Sequence, residues 1–257
     1  MSGCFKGVAG AVLLLVPGGE LLAEHPNAVI LEVVREMPKG GGYSVENKAK
    51  RSLDALQRSV QPVEGRIVVD AERATPSFCS SGTYVVLLKT LDRIQRKERF
   101  QVSGKVAERL RITEEQPDGE GVWGRWNANG PGAAKLLHDT KMGRSFEDWG
   151  EARAGDFMKI FWTEEIGQKE FGHLVVYLGT RKKGGKEWVR FWSSNKPGGY
   201  GEKEVEREKI KWAVFSRLER PERVSAVVKL GKTDKFLASM LTKRFTREEV
   251  RRALGMR

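Results

Sequence analysis

The sequence predicts an α+β fold in which a helix that begins at a cysteine packs against an antiparallel β-sheet, with further helices toward both ends of the chain. The first observation is the stretch 75–84, TPSFCSSGTY, in which Pro76 and Ser77 are helix-start residues and apolar residues then recur at helical spacing. The second is a set of three β-rich runs with short connections, at 157–162, 172–179 and 188–195. Short connections favour antiparallel neighbours, so we expect these runs to form a sheet that faces the cysteine helix.

Four segments are predicted along the 257 residues: a signal peptide at 1–23, an N-terminal helical extension at 24–62, a core domain at 63–218 and a C-terminal helical extension at 219–257. The signal peptide is indicated by Lys6, by an apolar run at 8–16 that is too short to span a bilayer, and by Ala23 as a small residue for cleavage. A buried N-terminal strand or helix is the alternative interpretation. We expect export to the periplasm or the extracellular space, and no membrane span.

Before the cysteine, the pattern predicts four elements. They are a short helix or strand at 28–34, a flexible connector of Pro38 and the glycines at 40–42, an amphipathic helix at 44–59 and a strand at 66–70. After the cysteine helix, a basic helix is predicted at 102–112 and a short helix from Pro131. A fourth strand is predicted at 210–217, and helices within 233–257 include a capping box that begins at Thr246.

The chain is strongly basic, with a formal net charge of +12 and a sequence pI near 9.7. Its 39% hydrophobic and 31% charged residues are typical of a globular protein. The positive charge predicts attraction to an anionic partner, which could be nucleic acid, a membrane or a cell-wall polymer. The basic block at 243–252 is more typical of a solvated helix face than of a nucleic-acid site.

Cys79 is the candidate nucleophile. At a helix N-terminus, unpaired N–H groups and the helix dipole lower the pKa of a thiol, and the thiolate is the reactive form. The only other cysteine, Cys4, would leave with the signal peptide, so the mature chain would carry one free thiol. Two cysteines permit neither a disulfide framework nor a cysteine-based metal site, and we expect no cofactor and no metal. The alternative for Cys79 is a small buried residue that packs the start of a core helix.

His173 is the candidate general base among three histidines. His25 lies beside the predicted cleavage site and His138 follows an apolar pair in a short helix, whereas His173 begins a strand from which its imidazole can be aimed. A hydrogen-bonded structural histidine is the alternative. On the next strand Ser193 and Asn195 share a face, and Asn195 has the stronger carbonyl acceptor for an imidazole N–H. Asn195 is therefore the first candidate for a third residue and Ser193 the second.

The order of these segments resembles that of the NlpC-type cell-wall peptidases, a papain-like family. The matching segments are FCSSG at 78–82, AGDFM at 154–158, GHLVVYLG at 172–179 and the strand end at 191–195. The resemblance covers roughly residues 67–210, and the histidine strand is its most specific part. It implies that the core at 63–218 is a papain-like catalytic domain.

The resemblance also implies a cysteine peptidase or amidase that cleaves an amide bond in peptidoglycan stem peptides, typically a γ-D-glutamyl–diamino acid bond. Cys79 would attack the carbonyl after His173 takes its proton, and water would hydrolyse the resulting thioester. One alternative is a papain-like acyltransferase or transpeptidase, in which an amine replaces water. Another is a non-catalytic basic protein that binds cell-wall polymer or, less favoured, nucleic acid.

Overall fold

The computed structural model describes residues 25–45, 50–63, 65–98, 100, 102–112 and 116–256. The signal peptide predicted at 1–23 lies outside the described residues, as do residues 46–49 of the amphipathic helix predicted at 44–59. Within the described ranges, no helix combines the length and the apolar character that crossing a membrane requires.

The fold is α+β, with a seven-stranded antiparallel sheet and helices packed around it. The strands are β1 (Gly40–Gly41), β2 (Val60–Val63), β3 (Arg66–Val69), β4 (Gly143–Phe146), β5 (Phe157–Phe161), β6 (Gly172–Lys183), β7 (Lys186–Asn195), β8 (Gly199–Glu206) and β9 (Trp212–Leu218). The helices are α1 (Pro26–Glu36), α2 (Lys50–Ser59), α3 (Cys79–Glu98), α4 (Gly104–Leu110), α5 (Gly121–Asn127), α6 (Gly132–Thr140), α7 (Lys235–Ser239) and α8 (Arg247–Ala253). The sheet order is β1-β8-β7-β6-β5-β9-β4, and β2 and β3 form a separate hairpin.

Helix α3 is the central helix, and it packs against β6 and β7 of the sheet. Its residues Tyr84, Val85 and Leu88 are fully buried in the cluster that also contains Val176 and Trp192 of the two strands. Each large apolar side chain buried in this way contributes about 1.5–3 kcal/mol to folding. The predicted helix at the cysteine and the predicted strands β5, β6 and β7 are thus confirmed.

The other face of the same strands is also buried, which explains why they read as nearly continuous apolar runs. Met158 of β5, Val175 of β6 and Phe191 of β7 belong to a second apolar cluster on that side. Alternate residues such as Phe157 face α3 instead.

The glycines at 40–42 differ from the flexible connector that the sequence predicts. Gly40 and Gly41 form the edge strand β1 and pair with Tyr200 and Gly199 of β8. All three glycines have φ values near +80°, and a Cβ added to Gly41 would lie 2.3 Å from the Cγ2 atom of Thr75. Glycine is required there because the edge strand adopts a left-handed backbone and passes close to the turn that precedes α3.

Strands β4 and β8 have no counterpart in the sequence prediction. Strand β8, GYGEKEVE, carries glycines and charges and has only its first two residues buried. Strand β4 is four residues long and lies at the other edge of the sheet. A strand that lies at the edge of a sheet, as β4 does, or beside a two-residue edge strand, as β8 does, and has an exposed face lacks the apolar signal from which a buried strand is predicted.

The Gly155-Asp156 turn anchors β5 to two distant elements. Arg217 of β9 donates to both carboxylate oxygens of Asp156, at 2.9 and 2.8 Å, and both side chains are almost fully buried. The Nδ2 atom of Asn27, in the first turn of α1, donates to the same carboxylate at 2.8 Å. A Cβ at Gly155 would lie 2.6 Å from the carbonyl oxygen of Asn27, so the glycine permits this close approach.

Replacing Arg217 with alanine should lower the free energy of unfolding by about 3–5 kcal/mol, because Asp156 would keep its buried charge without the guanidinium. Urea unfolding followed by tryptophan fluorescence measures this loss. Arg190→Ala, which removes an exposed ion pair with Glu202, is the control and should cost no more than about 1 kcal/mol. Equal small losses in the two variants would contradict the prediction.

Candidate active site

Cys79 is the first residue of α3, and it lies on the wall of a cleft of about 570 Å³. The residue before it, Phe78, carries no side-chain oxygen that could cap the helix, and the hydroxyl of Ser81 accepts the Phe78 N–H at 2.8 Å. The first N–H groups of a helix have no intrahelical acceptor. Cys79 and Ser80 therefore bring uncommitted donors and the positive end of the helix dipole to this cleft.

The thiol of Cys79 lies where β6 and β7 separate. The backbone pairing between β6 and β7 ends at Val176 and Trp192. Nearer the start of β6, side chains take the place of the backbone hydrogen bonds between the two strands. The Ser193 hydroxyl donates to the carbonyl oxygen of Leu174 at 2.8 Å, while the Leu174 N–H donates to the thiol. Leu174 therefore lies beside Cys79 on the wall of the cleft.

The environment favours the thiolate despite its burial. Burial raises the pKa of the Cys79 thiol, but the hydrogen bond and positive charge of His173 lower it, as do the Leu174 N–H and the ammonium of Lys159. The net effect lowers the pKa from 9.0 to about 7. The side chain is nevertheless partly exposed to the cleft, so a reagent or a substrate can reach the sulfur.

The orientation of the Asn195 amide determines the tautomer of His173. The Nδ2 atom of Asn195 donates to the carbonyl oxygens of Ser193 and Gly201, at 2.9 and 2.8 Å. The Oδ1 atom therefore faces the Nε2 atom of His173, at 3.1 Å. An amide oxygen only accepts, so Nε2 must carry a proton. The lone pair of a neutral His173 is then on Nδ1, the nitrogen left for the thiol.

The structure separates the sequence candidates. Of the three histidines, only His173 contacts Cys79, since His25 accepts the N–H of Asn27 at the start of α1 and His138 is exposed on α6. Asn195 contacts the imidazole, whereas the hydroxyl of Ser193 is directed to the Leu174 carbonyl oxygen. Phe191 packs edge-on against the imidazole, with ring centroids 5.8 Å apart, and fixes its plane.

Three polar residues of the cleft were not singled out from the sequence. Burial and, to a smaller extent, the charge of the Cys79 thiolate raise the pKa of Tyr43 to about 12. Asp118 accepts the N–H of Asn129 at 2.9 Å, and burial raises the pKa of its carboxyl group. Lys159 forms an ion pair of 2.5 Å with Glu170 on the cleft wall. These residues come from distant parts of the chain, and no local spacing relates them to Cys79.

Tyr43 reaches the cleft through the glycine edge strand. It forms a parallel bridge with Ser77, two residues before Cys79. The N–H of Ser77 donates to the Gly42 carbonyl oxygen at 3.1 Å. The only sequence signal for this position is the glycine run at 40–42, whose role depends on the strand that it pairs with.

Among the described residues, no cluster of three or more His, Cys, Asp or Glu side chains could hold a metal ion. Comparison of the chain with protein-family models, with curated proteins and with solved structures found no match. The geometry around Cys79 is therefore the main basis for assigning a function.

The rate at which iodoacetamide alkylates Cys79 should rise with pH around a midpoint near 7, because the lowered pKa makes half of the thiol ionised there. Removing the imidazole in His173→Ala leaves burial without its main opposing effect, so the midpoint should rise by more than one pH unit, toward the ordinary value of a thiol. At pH 7 the rate should then fall at least about tenfold. Mass spectrometry of the alkylated protein measures both quantities.

The matched control is His138→Ala, which removes an exposed imidazole from α6. It should leave the pH profile unchanged. A wild-type midpoint above pH 8.5, or equal profiles for the two histidine variants, would contradict the lowered pKa of the Cys79 thiol.

Proposed function

We propose that this protein is a cysteine hydrolase that cleaves amide bonds through Cys79, His173 and Asn195. The observation that carries the proposal is that His173, which lowers the pKa of the Cys79 thiol, is hydrogen-bonded to an amide whose orientation is fixed by two backbone carbonyl oxygens. A nucleophile, a base and a group that orients the base are the parts that nucleophilic catalysis requires.

The first half of the reaction forms a thioester. The proton of the thiol passes to Nδ1 of His173, and the thiolate attacks the carbonyl carbon of the substrate amide. The negative charge that develops on the carbonyl oxygen is stabilised by the backbone N–H of Cys79 and its neighbours in the first turn of α3. The C–N bond then breaks, the imidazolium gives its proton to the leaving amine, and the acyl group stays on the sulfur.

The second half restores the enzyme. A water molecule loses a proton to His173 and adds to the thioester carbonyl carbon. The C–S bond breaks, the carboxylic acid leaves, and the proton on the imidazole returns to the sulfur. Asn195 takes no part in proton transfer and acts as a positioning residue, because its oxygen holds the Nε2–H while Nδ1 gains and loses a proton.

The papain-like fold and the peptidoglycan substrate belong to the same proposal. They are supported by the resemblance of the cysteine, glycine–aspartate and histidine segments to NlpC-type peptidases, and by the helix α3 packed on an antiparallel sheet. The charge of +12 suits an exported enzyme that acts on an anionic cell wall. Export itself is proposed from the sequence pattern at 1–23.

The basic block at 243–252 gives little support to the non-catalytic alternative. Three of its arginines are held in ion pairs with glutamates: Arg244 with Glu165, Arg247 with Glu164 and Arg251 with Glu147. Paired guanidinium groups are less available to phosphates. The acyltransferase alternative shares the thioester and differs only in the acceptor, so added amines distinguish it from hydrolysis.

Cys79→Ala and His173→Ala should abolish the cleavage of purified muropeptides, and a brief incubation of the wild-type protein should trap an acyl-thioester on Cys79. Liquid chromatography with mass spectrometry detects both. Amine adducts formed in preference to free acid would show a transferase. Cleavage that continues in the Cys79→Ala variant would contradict the mechanism, and salt-sensitive binding of wall polymer without turnover would favour the non-catalytic alternative.

Asn195→Ala should lower kcat by about 100-fold, the size of effect that misplacing a reacting group produces. Ser193→Ala is the matched control on the same strand, and its kcat should stay close to the wild-type value, because that hydroxyl bonds to a backbone carbonyl oxygen and not to the imidazole. The opposite order of the two effects would assign the third position to Ser193.

A further inference from the structure

Exposed apolar side chains are concentrated at the mouth of the Cys79 cleft. The large hydrophobic residues that are at least about a third exposed in the described part of the chain are Val45, Val63, Val68, Phe171, Val228 and Leu241. Three of them line this one cleft: Val45, Phe171 and Leu241, with exposed fractions of 50%, 66% and 52%. Exposed apolar groups gathered at one concave site indicate a binding surface, whereas single scattered ones need no explanation.

Phe171 is presented by a constrained backbone. Its carbonyl oxygen accepts the N–H of Trp162 at 3.0 Å. The preceding residue, Glu170, has a side chain that is 1% exposed and accepts the N–H groups of Gly130 and Gly167 at 2.6 and 3.1 Å. The backbone that carries the ring is therefore fixed before any ligand arrives, which reduces the entropy that binding would cost.

Leu241 is held next to the same segment. Met240 before it is fully buried, and the carbonyl oxygen of Lys243 accepts the N–H of Gln168 at 2.8 Å. The N–H of Phe245 donates to the carbonyl oxygen of Ile166 at 3.0 Å. The segments that carry Leu241 and Phe171 are thus joined by backbone hydrogen bonds, and both side chains line the cleft that contains the thiol.

We propose that Phe171 and Leu241 form an apolar subsite that binds a bulky aliphatic or aromatic side chain of a peptide substrate beside the scissile amide. Such a side chain would cover apolar surface that the free protein leaves in water, while the polar wall of the cleft at Asp118 and Asn127 takes the peptide groups. The proposal rests on the amide hydrolysis proposed for Cys79 and names the class of its preferred substrate.

Chloromethyl ketones of short peptides test the subsite, because they alkylate Cys79 without any need for turnover. Reagents that end in Phe, Leu, Ala or Asp are compared by their second-order rates, each divided by the iodoacetamide rate of the same protein. The Phe and Leu reagents should react at least about tenfold faster than the Ala and Asp reagents, as expected when one large side chain is buried. In Phe171→Ser and Leu241→Ser this preference should shrink toward unity, while the iodoacetamide rate stays unchanged.

Val228→Ser is the matched control, since it removes an exposed apolar side chain that does not line the cleft. Its preference should equal that of the wild-type protein. Rapid alkylation by iodoacetamide with no preference among the peptide reagents, or equal losses in Val228→Ser and Phe171→Ser, would overturn the subsite and leave the nucleophile in place. Selective alkylation without cleavage of any peptide amide would overturn the hydrolysis and support the subsite.

Discussion

The direction of one amide group, that of Asn195, controls the chemistry available at Cys79. Two backbone carbonyl oxygens hold its NH₂ group, so its oxygen is directed at the imidazole of His173. That contact requires a proton on Nε2, so the lone pair of the neutral imidazole is on Nδ1 and is available to the sulfur. Without this contact, the neutral imidazole could carry its proton on the nitrogen that faces the thiol. A ring nitrogen that already carries a proton cannot accept one from the thiol.

Burial and the fixed donors around the sulfur act on the Cys79 thiol in opposite directions. A sulfur packed against the core would ordinarily keep its proton, because burial disfavours the charged form. Here the separation of β6 and β7 frees a backbone N–H of Leu174 for the sulfur, and the start of α3 adds the positive end of its dipole. Fixed donors of this kind stabilise a charge without having to reorganise, so a packed site can still hold a thiolate.

The central elements of the fold could be predicted from the sequence because their burial repeats at a fixed period. Helix α3 has a sustained apolar pattern, and β6 is apolar on both faces, so each was identified within a few residues of its bounds. The Cys79–His173 pair could be predicted for a simpler reason: the chain has three histidines, and only one begins a strand. The glycine–aspartate step at 155–156 was visible as a motif, but its structural role in binding Arg217 required the fold.

The parts that the sequence did not reveal depend on contacts between distant segments. Tyr43 reaches the cleft because an edge strand of glycines pairs with β8, and β8 itself carries no apolar pattern. Leu241 and Phe171 are 70 positions apart in the chain (241 − 171 = 70), and they line one cleft because backbone hydrogen bonds join their loops. Backbone hydrogen bonds are nearly independent of side-chain type, so residue patterns carry little information about them.

The protonation state of His173 tests its role as the base most directly. It can be determined from the ¹⁵N chemical shifts of the two ring nitrogens in protein labelled with ¹⁵N-histidine. The His173→Ala variant assigns these signals. Neutral His173 should carry its proton on Nε2, and Asn195→Ala should abolish this preference. A neutral imidazole protonated on Nδ1 in the wild-type protein would contradict the proposed role of His173, because the thiol would then face a donor and have no base.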